Sequence, residues 1–306
     1  MRAFEWKLDS VGLIAAPFTP FSADLGLDLG VVEQQAAHLR ESGVVGAFVG
    51  GTTGEFTSLT ISERISLAEE WRRSAYGLKL LVHVGSSDLA TATQLAKHAE
   101  EISADAIGAV PPFYFRPGSV ENLVECMAMI AAAAPNTPFF YYHIPAMTKV
   151  ELSMVSFIEQ ARKAIPTFAG VKFTHSDLVE YAQCVDAGGD DLEIMFGRDG
   201  LLLPALSLGC KVAVGSTYNF AASNYLQLAD AMYAGDFASA RRAQAISRNM
   251  LELASTHGGL VAQKALAGML GVDCGPARPP FASLDEKAMA GLSAFITESG
   301  LLQATK

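Results

Sequence analysis

Lys172 is the residue of this sequence best placed to act as a nucleophile, because it lies inside an apolar segment between Val171 and Phe173. A charged ammonium is costly to bury in such surroundings unless it is paired. Desolvation therefore favours the neutral amine, which can attack a ketone and form a Schiff base. The alternative is a lysine at a strand end that extends its amine to water or pairs with a carboxylate.

Two adjacent tyrosines, Tyr141 and Tyr142, precede the segment His-Ile-Pro. Successive side chains of a strand face opposite ways, so only one of these phenols can face a catalytic group. A phenol beside a Schiff-base lysine could relay protons, but aromatic core packing is the commoner role of a strand tyrosine. The nearby His143 and His175 are interpreted as structural. The spacing of histidines and carboxylates predicts no metal site, and the GxSxG motif of a serine nucleophile is absent.

A glycine- and threonine-rich segment, GGTTGE at residues 50–55, could bind an anion. Adjacent glycines allow a sharp turn that directs backbone N–H groups to one point, and the hydroxyls of Thr52 and Thr53 add donors. Such a turn suits a carboxylate or a phosphate. A glycine-rich turn without a ligand is an equally good interpretation of the spacing.

Short apolar segments alternate with segments of helical spacing along the chain. A strand buried on both faces has a continuous apolar run of this kind, and these strands are predicted at residues 12–17, 46–51, 79–85, 105–111, 138–145, 168–173, 192–197 and 211–216. Eight such units predict a (β/α)₈ TIM barrel with a C-terminal helical extension. A doubly wound sheet is disfavoured because the first strand is not followed by GxGxxG. The predicted division is a barrel over 1–222 and an extension over 223–306.

Composition and charge exclude several classes of partner. The chain has 306 residues, 50% of them apolar, and a net charge of −10. This acidic balance argues against nucleic acid and anionic membranes. Prolines interrupt the uncharged segment 126–148, so a membrane span is not expected there. The acidic start disfavours a secretion signal, and the scattered cysteines disfavour a disulfide framework. A cytoplasmic location is therefore predicted.

Several motifs, taken together and in order, give the chain a family resemblance. GGTTGE at 50–55, YYHIPA at 141–146, GVKFT at 170–174, FGRD at 196–199 and VGSTYN at 214–219 resemble the N-acetylneuraminate lyases of the dihydrodipicolinate synthase superfamily of class I aldolases. HVG at 83–85, PPFYFRP at 111–117 and GPARPP at 275–280 extend the similarity over nearly the whole chain. The resemblance implies a (β/α)₈ barrel, usually a homotetramer, that cleaves a 2-keto acid to pyruvate and an aldehyde.

The resemblance also implies roles for individual residues. Lys172 matches the Schiff-base lysine, Tyr142 the proton-relay tyrosine, and Thr52 with Thr53 the pair that binds the pyruvoyl carboxylate. The positions that face the sugar part of the substrate are Thr174, Gly197, Asp199 and Ser216. Tyr114 lies where some members contribute a tyrosine to the neighbouring subunit's site. No metal or organic cofactor is implied, because the Schiff base with Lys172 supplies the electron sink.

Two positions bear on the substrate. Met147 stands where dihydrodipicolinate synthases place an arginine for a second carboxyl group, which disfavours that activity. Gly200 stands where neuraminate lyases usually have a glutamate that accepts hydrogen bonds from the sugar tail. The leading hypothesis is cleavage of N-acetylneuraminate or a related sugar acid. The alternatives are another pyruvate-dependent aldolase or dehydratase and a non-catalytic barrel that binds carboxylates.

Overall fold

Eight parallel strands form the centre of the computed structural model, which describes residue 6 and residues 10–299. Within that part of the chain they close into a barrel in sequence order, β1 to β8. The strands are β1 Gly12–Ala15, β2 Gly46–Val49, β3 Lys79–His83, β4 Ala106–Ala109, β5 Phe139–His143, β6 Phe168–Phe173, β7 Glu193–Phe196 and β8 Val212–Gly215. The predicted (β/α)₈ barrel is therefore confirmed.

The strands are short and almost entirely buried, as their apolar sequences predict. Every residue of β1, β2, β4, β5 and β8 is buried. Helices cover the outer face of such a barrel while side chains fill its interior, so both faces of each strand select apolar residues. The longest run of paired residues joins β5 to β6, where Tyr142 lies opposite Lys172.

Local sequence signals fix the first residue of many of the helices that follow the strands. Thr60 and Glu63 form a capping box at the start of α2, and Asp88, Ser119, Ser153 and Asp177 cap later helices through their side chains. The helices that follow β1 to β7 are α1 Val32–Glu41, α2 Ile61–Ser74, α3 Leu89–Glu101, α4 Val120–Ala132, α5 Pro145–Thr148, α6 Met154–Ala164, α7 Leu178–Gly188 and α8 Leu202–Ser207.

Within the described residues, four more helices follow β8. They are α9 Tyr218–Tyr233, α10 Phe237–Thr256, α11 Leu260–Leu270 and α12 Glu286–Ser299. The boundary at 222/223 stays a prediction, and it falls inside α9, one residue after a kink at Ala221. No helix among the described residues is both long and apolar enough to cross a bilayer.

Backbone contacts divide the chain into two compact units. Among the described residues, the first unit consists of Leu80–Arg198, Pro204–Val214 and residues 6 and 10–12. It contains β4 to β7 and the helices between them. The second unit consists of Leu13–Lys79, Asp199–Leu203 and residues 215–299. It contains residues 13–15 of β1, all of β2 and the C-terminal helices α9 to α12.

Candidate active site

Lys172 and Tyr142 lie side by side near the carboxyl ends of β6 and β5. They are partners in the strand register, and both are buried, with 4% and 3% of their surfaces exposed. The Nζ of Lys172 lies 3.8 Å from the centroid of the Tyr142 ring. The structure thus brings together the two residues predicted to be catalytic.

The neighbours of the two tyrosines show which one shares a face with Lys172. The Tyr141 ring packs against Phe157 of α6, with centroids 4.6 Å apart, so Tyr141 faces the outer helices. Tyr142 must then face the opposite side, where its ring meets His83 of β3 edge-on at 5.8 Å. Of the two phenols left open by the sequence, only that of Tyr142 can serve Lys172.

Thr174 and Gly197 are in contact at the ends of β6 and β7. The Thr174 amide donates to the carbonyl of His143 at 2.7 Å, and the Gly197 amide donates to that of Phe173 at 2.8 Å. A Cβ added to Gly197 would lie 2.0 Å from the Thr174 hydroxyl oxygen, so only glycine fits here. That buried hydroxyl has no hydrogen-bond partner among the described residues.

The segment 50–55 forms a tight turn after β2, as its glycines predict. Gly50 has a positive φ of 66°, which favours glycine. A Cβ on Gly54 would lie 3.2 Å from the Gly50 Cα, and the Gly54 carbonyl accepts a hydrogen bond from the Thr19 hydroxyl at 2.6 Å. Thr52 and Thr53 are half-buried at this turn. The loop has the sharp geometry expected of an anion-binding turn.

Glu55, which ends this turn, forms an ion pair that the sequence analysis missed. Its carboxylate is buried and lies 3.3 Å from the Nζ of Lys264 on α11. The other Glu55 oxygen accepts from the Arg278 amide at 2.9 Å. More than 200 residues separate Glu55 from these partners, so spacing could not have shown the pair. The sequence signal that could have drawn attention to Glu55 is its position as an acidic residue at the end of a turn rich in glycine and threonine.

Asp199 is buried, and its carboxylate is hydrogen-bonded to the first residues after β8. Its Oδ2 accepts from the Thr217 amide at 2.9 Å and from the Thr217 hydroxyl at 2.5 Å. A Cβ on Gly215 would lie 2.5 Å from its Oδ1. Ser216, in the same turn, donates its hydroxyl to Gln263 of α11 at 2.6 Å. Asp199 and Ser216 thus meet at the turn after β8. Thr217, a residue of the VGSTYN motif that the sequence analysis did not single out, binds Asp199 there.

Side chains of α10 border Gly200. A Cβ at Gly200 would lie 3.1 Å from Cδ1 of Leu251 and 3.9 Å from Cγ of Arg248. A larger residue here would require Leu251 to move by a few tenths of an ångström. An apolar side chain therefore borders the position where the resemblance leads one to expect a carboxylate.

Tyr114 differs from the other predicted residues because it is exposed. It lies in the segment between β4 and α4 with 76% of its surface accessible, and its ring packs edge-on against the equally exposed Phe115 at 5.1 Å. The part of the chain that the structure describes thus leaves an aromatic pair uncovered at this place.

His143 and His175, interpreted as structural, come together with Glu180 of α7. Burial, and secondly the neighbouring His175, lowers the pKa of His143 to about 3. One potential ligand atom from each of the three residues lies within 4.8 Å of the others. The sequence did not reveal this histidine–carboxylate cluster, because its members are spread over a strand, a loop and a helix.

Comparison with known proteins identifies the family of the chain. Residues 9–299 match the model of the dihydrodipicolinate synthetase family. The chain is 37% identical to N-acetylneuraminate lyase of Gallus gallus, over 94% of this chain and 97% of that protein. It is 38% identical to the enzyme of the same name from Homo sapiens, over 88% of this chain and 86% of that protein.

Solved structures agree with the sequence comparison. The N-acetylneuraminate lyase of Proteus mirabilis superposes with a TM-score of 0.92 at 35% identity, covering 95% of this chain and 99% of that one. The sialic acid aldolase of Aliivibrio salmonicida gives the same TM-score and identity, covering 96% and 99%. The chain belongs to the dihydrodipicolinate synthetase family.

Proposed function

We propose that this protein is a carbon–carbon lyase, a class I aldolase that cleaves N-acetylneuraminate or a closely related 2-keto sugar acid to pyruvate and an aldehyde sugar, N-acetylmannosamine for the former. The observation that carries the proposal is the contact between the buried Lys172 amine and the ring of Tyr142 at the carboxyl ends of their strands. In (β/α)₈ barrels this end of the strands is where active sites lie.

Burial supports an uncharged Lys172. Complete burial lowers the pKa of a lysine by up to about 3–5, which corresponds to a cost on the order of 4–7 kcal/mol for the charged ammonium. Burial in an apolar environment thus favours the neutral amine that Schiff-base formation requires.

The proposed reaction begins when the neutral Lys172 amine attacks the C2 ketone and water leaves, which gives an iminium. Tyr142, together with the substrate carboxylate, takes the proton of the C4 hydroxyl. The C3–C4 bond then breaks, its electron pair moves toward the iminium, and the aldehyde leaves. Protonation of the resulting enamine at C3 and hydrolysis by water release pyruvate and restore the amine.

The remaining residues are assigned to binding. Thr52 and Thr53 hold the substrate carboxylate and thereby orient the ketone toward the amine. The tight turn that contains them and the anion-binding capacity of such turns support this assignment. The sugar part contacts Thr174, Gly197, Asp199 and Ser216. The reaction needs no metal or organic cofactor.

Trapping of the Schiff base tests the proposal. Borohydride added with pyruvate should reduce the imine and leave a stable mass increase on the peptide containing Lys172. Lys172→Ala should abolish this label, and Lys149→Ala, a lysine outside the site, should retain it. A protein that binds pyruvate without becoming labelled would be the non-catalytic carboxylate-binding barrel. A label that persists in Lys172→Ala would refute the assignment of the nucleophile.

A second candidate is a related aldolase or dehydratase that acts on a shorter 2-keto acid. Gly200 and the adjacent Leu251 favour it, because an apolar contact replaces a hydrogen-bond acceptor for the sugar tail. Such a loss costs about 1–3 kcal/mol in binding. Pyruvate release from a panel of keto sugar acids distinguishes the two candidates: turnover of a shorter acid while N-acetylneuraminate is inert would select the second.

A substitution at the same position sharpens this test. Gly200→Glu, combined with Leu251→Ala to make room, should tighten N-acetylneuraminate binding by roughly 5- to 150-fold. Leu251→Ala alone is the matched control. Unchanged or weaker binding in the double variant would mean that position 200 does not contact the sugar tail.

We further propose a cytoplasmic homotetramer that has only small molecules as substrates and binds neither nucleic acid nor membranes. The uncovered Tyr114 and Phe115 support assembly, since aromatic residues are enriched in protein–protein interfaces. Tyr114 is assigned to the neighbouring subunit's site. The four cysteines are all free thiols, which agrees with a reducing compartment. Light scattering should give four times the protomer mass, and Tyr114→Ala with Phe115→Ala should lower it.

A further inference from the structure

A cluster of possible metal ligands lies on the side of β5 and β6 opposite to Lys172. His143 is the last residue of β5, His175 follows β6, and Glu180 is in the first turn of α7. The two imidazole rings meet edge-on with centroids 5.8 Å apart. The Nδ1 of His175 lies 4.0 Å from Oε2 of Glu180.

The histidine nitrogens of this cluster lack hydrogen-bond partners. His143 is 2% exposed, and neither of its ring nitrogens has a partner anywhere in the described residues. The Nδ1 of His175 is likewise buried without one within residues 10–299. Buried polar groups are nearly always satisfied, so an imidazole with two unpaired nitrogens indicates a missing partner. Aromatic packing against Phe173 and Tyr141 holds the His143 ring but satisfies neither nitrogen.

Glu180 is oriented toward the two histidines. Its Oε1 accepts a hydrogen bond from the Met154 amide, the first residue of α6, at 2.9 Å. This bond fixes the carboxylate and leaves Oε2 on the side of His175. Metal-binding carboxylates are characteristically held in this way by a hydrogen bond to their second oxygen.

We propose that His143, His175 and Glu180 bind one divalent transition-metal ion, of which Zn²⁺ fits best. Two imidazoles and one carboxylate are a common zinc ligand set, with bonds of about 2.0–2.2 Å. The ion joins β5, the loop after β6 and α7 behind the Lys172–Tyr142 pair. It takes no part in the Schiff-base chemistry.

Small side-chain rotations suffice to form the site. The ligand atoms lie within 4.8 Å of one another, whereas ligands of a tetrahedral zinc ion are about 3.3 Å apart. The side chains of His175 and Glu180 are 36% and 22% exposed, so both can adjust toward the rigid His143. The same exposure gives the ion a path from solvent and leaves its fourth position to water.

Metal titration of the untagged, chelator-treated protein tests the proposal. Zn²⁺ should bind in a one-to-one ratio by calorimetry and raise Tm, because a ligand that binds only the folded state stabilises it. Co²⁺ should give the visible bands of a tetrahedral complex. His175→Gln and Glu180→Gln should each weaken binding by more than the roughly 10- to 100-fold that loss of a supporting residue causes.

The choice of variants keeps this test independent of folding. His175 and Glu180 are partly exposed, so their substitution leaves the core intact, whereas His143→Gln risks misfolding. His257→Gln, a histidine at the end of α10, should bind Zn²⁺ as the unaltered chain does. Absence of stoichiometric binding, or equal binding in the unaltered chain and both ligand variants, would overturn the proposal.

Discussion

Two nearly fully buried lysines, one in each compact unit, have different neighbours. Lys172 on β6 is 4% exposed and its amine lies on the face of Tyr142. Lys264 on α11 is 2% exposed and its amine donates to the carbonyls of Thr19 at 2.8 Å and Pro276 at 2.6 Å and to the Glu55 carboxylate. Equal burial therefore does not give two lysines equal chemistry.

The difference lies in what each amine meets. An ammonium has three N–H donors, and Lys264 has three oxygen acceptors around it, one of them charged. Burial lowers the pKa of Lys264, but the Glu55 carboxylate opposes this shift. Lys264 thus holds the Glu55 end of the predicted carboxylate-binding turn in place. We therefore expect the partners of a buried lysine, more than its burial, to decide between a structural and a catalytic role.

Exchanging each lysine for methionine should give the largest contrast. Lys172→Met should abolish pyruvate trapping and reduce turnover on the order of a millionfold, as loss of a covalent nucleophile does. Its Tm should fall by less than that of Lys264→Met, because an amine that is neutral, as proposed, leaves no buried charge unpaired when it is removed. Thermal melts and pyruvate release measure the two effects. A large drop in Tm would mean that Lys172 is a structural ammonium like Lys264.

Tyr142→Phe should separate the two steps assigned to the Lys172 region. Loss of a positioned proton-transfer group slows a reaction by about 10²–10⁴-fold, so cleavage should slow by that amount. Pyruvate capture should change little, since the aromatic ring remains. Tyr141→Phe, which faces α6, is the matched control. Equal losses in capture and cleavage would show that the Tyr142 phenol only packs.

Lys264→Met should destabilise the second compact unit by about 3–5 kcal/mol, because it leaves the buried Glu55 carboxylate without its partner. Denaturant unfolding measures this cost. The double variant Lys264→Met with Glu55→Gln should recover a large part of it, since no charge is then left unpaired. Failure of the second substitution to recover any stability would show that the carbonyl contacts of Lys264, and not the ion pair, dominate.

The sequence predicted the barrel because its strands are buried on both faces and therefore have continuous apolar runs. Lys172 stood out against that pattern as a charged residue within such a run. The alternation of strand side chains showed that only one of Tyr141 and Tyr142 could serve it. Choosing Tyr142 on physical grounds required the contact of Tyr141 with α6.

Side-chain partners distant along the chain could not be predicted in the same way. Glu55 and Lys264 carry charges that most chains expose, and only the fold brings them together. The cluster of His143, His175 and Glu180 has none of the regular spacings of metal motifs, since a strand, a loop and a helix contribute one residue each. Such contacts depend on how elements pack, and no local pattern encodes that.

Glu193 shows what burial does to a charged group with only weak compensation. It begins β7, and burial raises the pKa of its carboxyl from 4.5 to about 7, while the charge of Lys211 opposes the shift only in part. The folded protein therefore favours the protonated acid. The stability gained from this group is complete below pH about 4.5 and is lost as the pH rises through about 7.

Glu193→Gln should remove this dependence. As the pH rises from about 5 to about 8, the Tm of the unaltered chain should fall further than that of the variant, because the neutral amide of the variant does not titrate. Glu252→Gln on α10 removes an exposed carboxylate and controls for the change in net charge, so its pH profile should follow that of the unaltered chain. Because Glu193 titrates in the direction opposite to a carboxylate stabilised by a cation, such as Glu63 beside Arg278, the sign of the difference is itself decisive. A variant whose Tm follows the same pH profile as the unaltered chain would show that Glu193 does not take up a proton on folding.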